Sequence, residues 1–383
     1  MHLTISRRIA AALLLVIIYI NVGAQNSSKI SLKTGQLYSG IEVGSKGVKM
    51  SILEMSKETQ KTGNYTVIKD TSVNTDFISF TEPTFTATLN ALTGLYRVAT
   101  DQYRIEPRFV FTAISSGVSI QADKDEKKDW LKRLSDEFRT IVKEPSRVVS
   151  VIDVKEEARL SHLGIIPDSR RFSTFLIDIG SGNTKGGFFP TDNTNDIKLF
   201  QLTWGTKSIA NATNARLGED TAMSNFSRQL QRVLAGSADQ EIVYAVNVSG
   251  AYNMSDNIAF SGGIAWAVAT LLYPELIDNA VVPVTYDEIA AFMERIAKNH
   301  ASLSPEAVAK GVSDVTVDKK QVANQAKTVN KVFDQRALLS GTGLLLKIMR
   351  QFEGIYEKKQ FFLVKNGQVG WISAFVNQAI AKQ

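Results

Sequence analysis

The chain has 383 residues, 44% of them hydrophobic, which is enough for two full cores. It contains no cysteine, so a disulfide framework, a thiolate metal site and a lipid-bearing cysteine are all excluded. The formal charge is +6 and no run interleaves aromatic residues with lysine or arginine, so nucleic acid is not an expected partner, whereas a compact polyanion is compatible.

Arg7 and Arg8 precede an apolar run at 9–20, followed by Asn21-Val22-Gly23-Ala24. This order reads as a secretory signal peptide over residues 1–24, cleaved after Ala24, and predicts an exported protein, periplasmic or extracellular. The run is shorter than the roughly 20 residues that span a bilayer, so no stable membrane span is expected after cleavage.

The pattern that organises the rest occurs twice, as Glu42-Val43-Gly44-Ser45 with Lys49 and as Asp178-Ile179-Gly180-Ser181 with Lys185. Each copy is an apolar strand ending in a carboxylate, then a turn of small residues. The turns are Gly44-Ser45-Lys46-Gly47 and Gly180-Ser181-Gly182-Asn183-Thr184. Both predict tight hairpins whose turn residues tolerate positive φ, and whose backbone N–H groups converge on a phosphate oxygen. Two such turns on opposite sides of one ligand would form a clamp.

Between the repeats, strand and helix alternate, which predicts an α/β fold. A strand at 65–68 precedes a helix near 84–100 and a strand at 108–114. Next comes an amphipathic helix with Trp130, Leu134, Phe138, Ile141 and Val142 on its core face. A strand at 147–152 leads to a short helix, and the polar segment 167–171 reads as the link between one domain at 25–166 and another at 167–383. The second half continues with a strand at 197–202, a helix at 221–234, a strand at 242–246, and a strand-to-helix junction at Gly262-Gly263. Beyond Tyr286 the pattern is mostly helical, closing with a strand at 361–364 and a terminal helix.

Glu42 and Asp178 occupy equivalent steps of the repeat. Carboxylates there can hold hydrated Mg²⁺ or orient a water, or simply accept hydrogen bonds from neighbouring backbone. Asp153 with Glu156 reads as a capping box, whereas the adjacent Glu157 projects elsewhere, either to a cleft as a general base or into solvent at the helix start. Lys49 and Lys185 can neutralise phosphate or lie exposed on their strands. Gly262 and Gly263 permit close approach of a phosphate chain, or tight packing. Neither His162 nor His300 has companions for a metal site or triad, and both read as surface residues.

The ordered set of these features resembles the Ppx/GppA family of exopolyphosphatases and guanosine pentaphosphate phosphohydrolases, within the actin, Hsp70 and sugar-kinase superfamily. Residues 40–53 are similar to its first phosphate loop, 154–160 to its catalytic-glutamate helix, 176–186 to its second phosphate loop and 260–272 to its Gly-Gly junction. Gln335-Arg336-Ala337 with Gly341, and then 366–370, are similar to its late segments. The resemblance implies two ribonuclease-H-like domains flanking a cleft, with helical additions in the C-terminal half. It also implies Mg²⁺-dependent hydrolysis of a terminal phosphoanhydride in polyphosphate or a nucleotide polyphosphate, with Glu157 positioning water and Asp178 supporting water or metal. A homodimer is compatible with it. Three positions depart from the family pattern: Glu42 replaces an Asp, Lys185 replaces a Glu, and Ser116 falls where a phosphate-binding Arg is usual. The reversed charge at Lys185 disfavours metal and favours metal-free phosphate binding, so the alternative is a catalytically weak sensor or scaffold that binds polyphosphate or nucleotide.

Overall fold

The computed structural model describes residues 35–56, 66–250, 255–353, 359–365 and 370–382. The expected leader and the segment 366–369 lie outside them.

Strands β1 (Gln36–Val43), β2 (Gly47–Met55), β3 (Thr66–Asn74), β4 (Val110–Ile114) and β5 (Val149–Val151) form the first sheet, in the order β3-β2-β1-β4-β5. β1 runs antiparallel to β2 and parallel to β4. Helices α1 (Glu82–Arg97), α2 (Ser116–Lys124), α3 (Lys128–Val142) and α4 (Val154–Ile165) complete this lobe. Its core packs Ile41, Val43, Phe77, Phe85, Leu92, Leu134 and Phe138 together.

The second sheet uses β6 (Thr174–Ile179), β7 (Thr184–Phe188), β8 (Lys198–Leu202), β9 (Asn257–Ser261), β10 (Val281–Val284) and β11 (Gln360–Val364), in the order β10-β11-β9-β6-β7-β8. Read from β8, the succession β8-β7-β6-β9-β11 repeats the first sheet strand for strand, including the parallel β6–β9 pair, and β10 is an added edge. The duplication seen in the two hairpins therefore extends to the whole sheet. Helices α5 (Thr206–Asn214), α6 (Met223–Val233), α7 (Asp239–Ser249), α8 (Gly263–Leu272), α9 (Tyr286–Lys298), α10 (Pro305–Gly311), α11 (Lys319–Val332) and α12 (Gln335–Glu353) belong to this half. The fold is thus α/β, with two ribonuclease-H-like lobes of the actin-like type and helical additions in the C-terminal half.

The last helix, α13 (Gly370–Ala381), lies beyond the expected boundary at residue 167 yet packs on the first sheet. A Cβ at Gly40 of β1 would meet Ile372 at 2.6 Å, and one at Gly164 of α4 would meet the Gly370 carbonyl. With helices on both of its faces, β1 is buried along nearly its whole length, which explains its near-continuous apolar run.

Three local expectations are corrected. Residues 242–246 are helical, not extended: in α7 the buried positions are Ile242, Ala245, Val246 and Ser249, a helical spacing that a short unbroken apolar run conceals. On α3 the buried face carries Leu131, Leu134, Ser135 and Phe138, while Ile141 is exposed. His162 is fully buried rather than on the surface: its Nε2 lies 2.9 Å from the Thr174 carbonyl, and its ring meets Phe189 edge-on at 4.6 Å. Burial pushes its pKa down to about 4, so the ring is neutral and its Nε2–H donates to that carbonyl.

Candidate functional site

The parallel order places the carboxyl ends of β1 and β4, and of β6 and β9, at the middle of each sheet, where the strand order reverses and clefts form. Both hairpins open there. In the first, Glu42 pairs with Lys49 and Val43 with Val48, and Gly44 and Gly47 exchange backbone hydrogen bonds around Ser45-Lys46. In the second, Asp178 pairs with Lys185 and Ile179 with Thr184, and Gly180 N–H donates to Asn183 O at 3.0 Å.

Neither turn uses positive φ, contrary to expectation. Its glycines supply room instead: a Cβ at Gly47 would collide with the Val73 carbonyl, and one at Gly180 would lie 2.8 Å from that of Asn183. Among the described residues, none accepts a hydrogen bond from the N–H groups of Ser45, Lys46, Ser181 or Gly182.

The two turns meet. A Cβ built on Gly117, in the first turn of α2, would lie 3.0 Å from Ser45 Oγ and 3.6 Å from Asn183 Oδ1. One side chain from each hairpin thus approaches the same point, and the glycine keeps that point open. The second turn is braced from behind by α5, whose N–H groups at Thr206 and Lys207 donate to Gly180 O and Ser181 O at 3.0 and 2.7 Å. That helix start is therefore spent on the protein.

Beneath the turns lies a cluster of buried ions. Lys185 Nζ sits 3.0 Å from Glu157 Oε1 and 3.1 Å from Asp178 Oδ2. The other oxygen of Glu157 accepts from Ser116 N–H at 2.6 Å, and that of Asp178 accepts from Ser261 Oγ at 3.0 Å. Burial alone would discharge Lys185, but the two carboxylates outweigh it and hold its pKa above the usual lysine range. Glu42 Oε1 turns back towards Gly44 and its Oε2 lies 4.0 Å from Lys49 Nζ. Burial raises the Glu42 pKa, Lys49 counteracts it, and the charges of Glu157 and Asp178 raise it further.

The remaining candidates have structural contacts. Thr184 is buried and donates to the Trp204 carbonyl at 2.7 Å. Gly262 has φ of 92° and approaches the Ile179 carbonyl so closely that a Cβ would fall 2.3 Å away, and Gly263 abuts Phe333. The expected capping box is half formed: Asp153 accepts from Glu156 N–H, but the Glu156 carboxylate turns to Arg159. Arg336 donates to Asn214 Oδ1 and the Thr221 carbonyl, within its own lobe.

The sequence reading missed Gly117, Ser261, Asp76 and Lys207. Lys207 Nζ lies 3.2 Å from Asp76 Oδ1, and the cation and its partner come from opposite lobes. A glycine before Thr206-Lys207-Ser208, directly after a strand, was a legible helix-start signal; Asp76 carried none.

No family model and no curated protein matches the sequence. Solved structures do share its architecture. A Ppx/GppA family member from Aquifex aeolicus superposes with a TM-score of 0.60 at 16% identity, covering 91% of this chain and 98% of that one. An exopolyphosphatase-like protein gives 0.58 at 14% identity over 90% and 98% of the two chains. An exopolyphosphatase from Cytophaga hutchinsonii gives 0.53 at 11% identity over 89% and 98%. At such identities the likeness is one of fold.

Proposed function

We propose that the cleft binds the terminal phosphates of a linear phosphoanhydride, inorganic polyphosphate or a nucleotide polyphosphate, and that hydrolysis there is slow. The observation that carries this reading is the approach of Ser45 and Asn183 to one point beside Gly117, with unpaired turn N–H groups on both sides. Ser116 adds a buried hydroxyl without a protein partner. The likeness in fold to proteins named as exopolyphosphatases supports the ligand class.

Lys185 supports slow turnover. Both oxygens of Glu157 are engaged, one by the Lys185 ammonium at 3.0 Å and the other by Ser116 N–H at 2.6 Å, so neither is free to take a proton from water. The expected Mg²⁺ on Glu42 and Asp178 does not fit these side chains. Asp178 is paired with the Lys185 ammonium where a cation would sit, Glu42 faces Lys49, and among the described residues no three His, Cys, Asp or Glu could hold a metal together. We assign the charge-neutralising role to the Lys185 ammonium, which makes binding independent of divalent cations.

Exopolyphosphatase-type hydrolysis is the second reading, favoured by the convergence of Glu157 and Asp178 on one point. In that reaction Glu157 takes a proton from water, the water oxygen bonds to the terminal phosphorus, and the bridging P–O bond breaks to release orthophosphate and a shortened chain. Export through the proposed leader favours inorganic polyphosphate as the ligand. Among the described residues, no helix is long and apolar enough to cross a membrane.

Binding of polyphosphate in EDTA, and phosphate release with and without Mg²⁺, test the proposal in the wild type, Glu157→Gln and Lys185→Glu. Tight EDTA-insensitive binding with slow release is expected, together with a Mg²⁺-dependent gain in release for Lys185→Glu. Rapid Mg²⁺-dependent release by the wild type, abolished in Glu157→Gln, would favour the hydrolase.

A further inference from the structure

Two lysines lie beside the hairpin turns, outside the buried ion cluster. Lys46 is at the tip of the first turn, and its carbonyl accepts from Thr75 and Asp76 N–H. Lys207 lies in the first turn of α5, where its own N–H holds Ser181 O of the second turn. Each turn therefore carries one lysine directly beside it. Both line one cavity of about 520 Å³, together with Asn74, Thr75, Asp76 and Thr84.

Both lysines also reach across the cleft. Lys207 of the second lobe pairs with Asp76 of the first, and Lys46 of the first lies 5.8 Å from the ring centroid of Phe333 in the second. Among the described residues, no carboxylate lies within ion-pair distance of Lys46. Burial, then repulsion from Lys207 and Lys49, hold the Lys46 pKa below the usual lysine range, and the Asp334 carboxylate only partly offsets them. An anion between Lys46 and Lys207 would relieve that repulsion.

We propose that Lys46 and Lys207 form a second anion subsite at the cleft mouth, which takes the phosphates beyond the terminal one, and that Asp76 is an internal competitor for Lys207. The inference rests on the cleft being a phosphate site and sharpens the ligand class to linear chains of several phosphates. On binding, the Lys207–Asp76 pair opens and the chain's phosphate oxygens take the place of the carboxylate. One cross-lobe ion pair is thereby exchanged for a ligand that both lobes hold.

Calorimetric titration with orthophosphate and with tripolyphosphate, in EDTA, separates the two ideas. Lys46→Gln and Lys207→Gln should each weaken tripolyphosphate about tenfold, the loss of one charge-assisted hydrogen bond, and Lys207→Gln should leave orthophosphate within about twofold. Asp76→Asn should tighten tripolyphosphate severalfold. Asn tolerates the left-handed backbone at this position (φ of 53°), and general damage to the fold would weaken binding instead. Tripolyphosphate binding that is the same in all three variants and the wild type overturns the subsite and leaves the phosphate cleft standing. A wild type that binds neither anion overturns both.

Discussion

The two hairpins have the same order of residues, an acid, a small turn and a lysine seven positions after the acid, yet their lysines have unlike surroundings. The Lys49 side chain is 43% exposed and 4.0 Å from its acid, whereas that of Lys185 is 7% exposed and shared between two carboxylates at 3.0 and 3.1 Å. The difference comes from a third element. Helix α4 carries Glu157 to Lys185, and Ser116 at the start of α2 fixes the far oxygen of that glutamate. At the first hairpin the neighbour is the polar edge strand β3, which sets Ser72 beside Lys49. A repeated motif thus sets the position of a charge, and the packing around it sets what the charge does.

Removing each lysine gives the sharpest test of this contrast. Lys185→Met leaves the buried Glu157 and the largely buried Asp178 without their shared counter-ion and should cost about 3–5 kcal/mol at neutral pH. Urea denaturation at pH 7 would read the loss. Lys49→Met, at the equivalent step, belongs at the other end of the scale.

The second hairpin is also backed by His162, whose folded pKa is depressed to about 4 from 6.5. The unfolded chain therefore binds the proton first. The stability tied to the neutral ring is complete above pH 6.5 and is lost as pH falls through 4, about 3 kcal/mol in all. His162→Gln should flatten that part of the pH–stability curve, and an unchanged slope would sink the assignment.

Next in size is Gly262→Ala, which places a Cβ against the Ile179 carbonyl at a left-handed backbone position. A loss of about 2 kcal/mol is expected from strain alone, visible as a lower Tm. The smallest effect is Lys49→Met, at most about 1 kcal/mol because the lysine is partly exposed and its pair is long. Equal losses from Lys49→Met and Lys185→Met would erase the contrast between the hairpins.

Much of the fold was legible because it depends on local pattern. Alternating apolar strands around Gly-Ser turns marked both hairpins, and Asp153 marked the start of the helix that carries Glu157. Legibility failed where a segment's periodicity was ambiguous, as at 242–246, or where burial came from distant packing, as at His162 beneath Phe189. The positive φ expected in the turns was a misreading of small residues. The glycines there make space for neighbouring carbonyls and do not adopt left-handed backbone.

The sequence by itself determined the duplicated strand–turn–strand units, the acid at the end of each and the basic residue on each returning strand, since these follow from nearest-neighbour backbone preferences and alternation. Only the tertiary structure decided that Lys185 is locked between Asp178 and Glu157, and that Lys207 meets Asp76 across 131 positions of chain. Those encounters depend on how two sheets and their helices pack, and the energy of a charge depends on burial and on partners that its own segment does not encode.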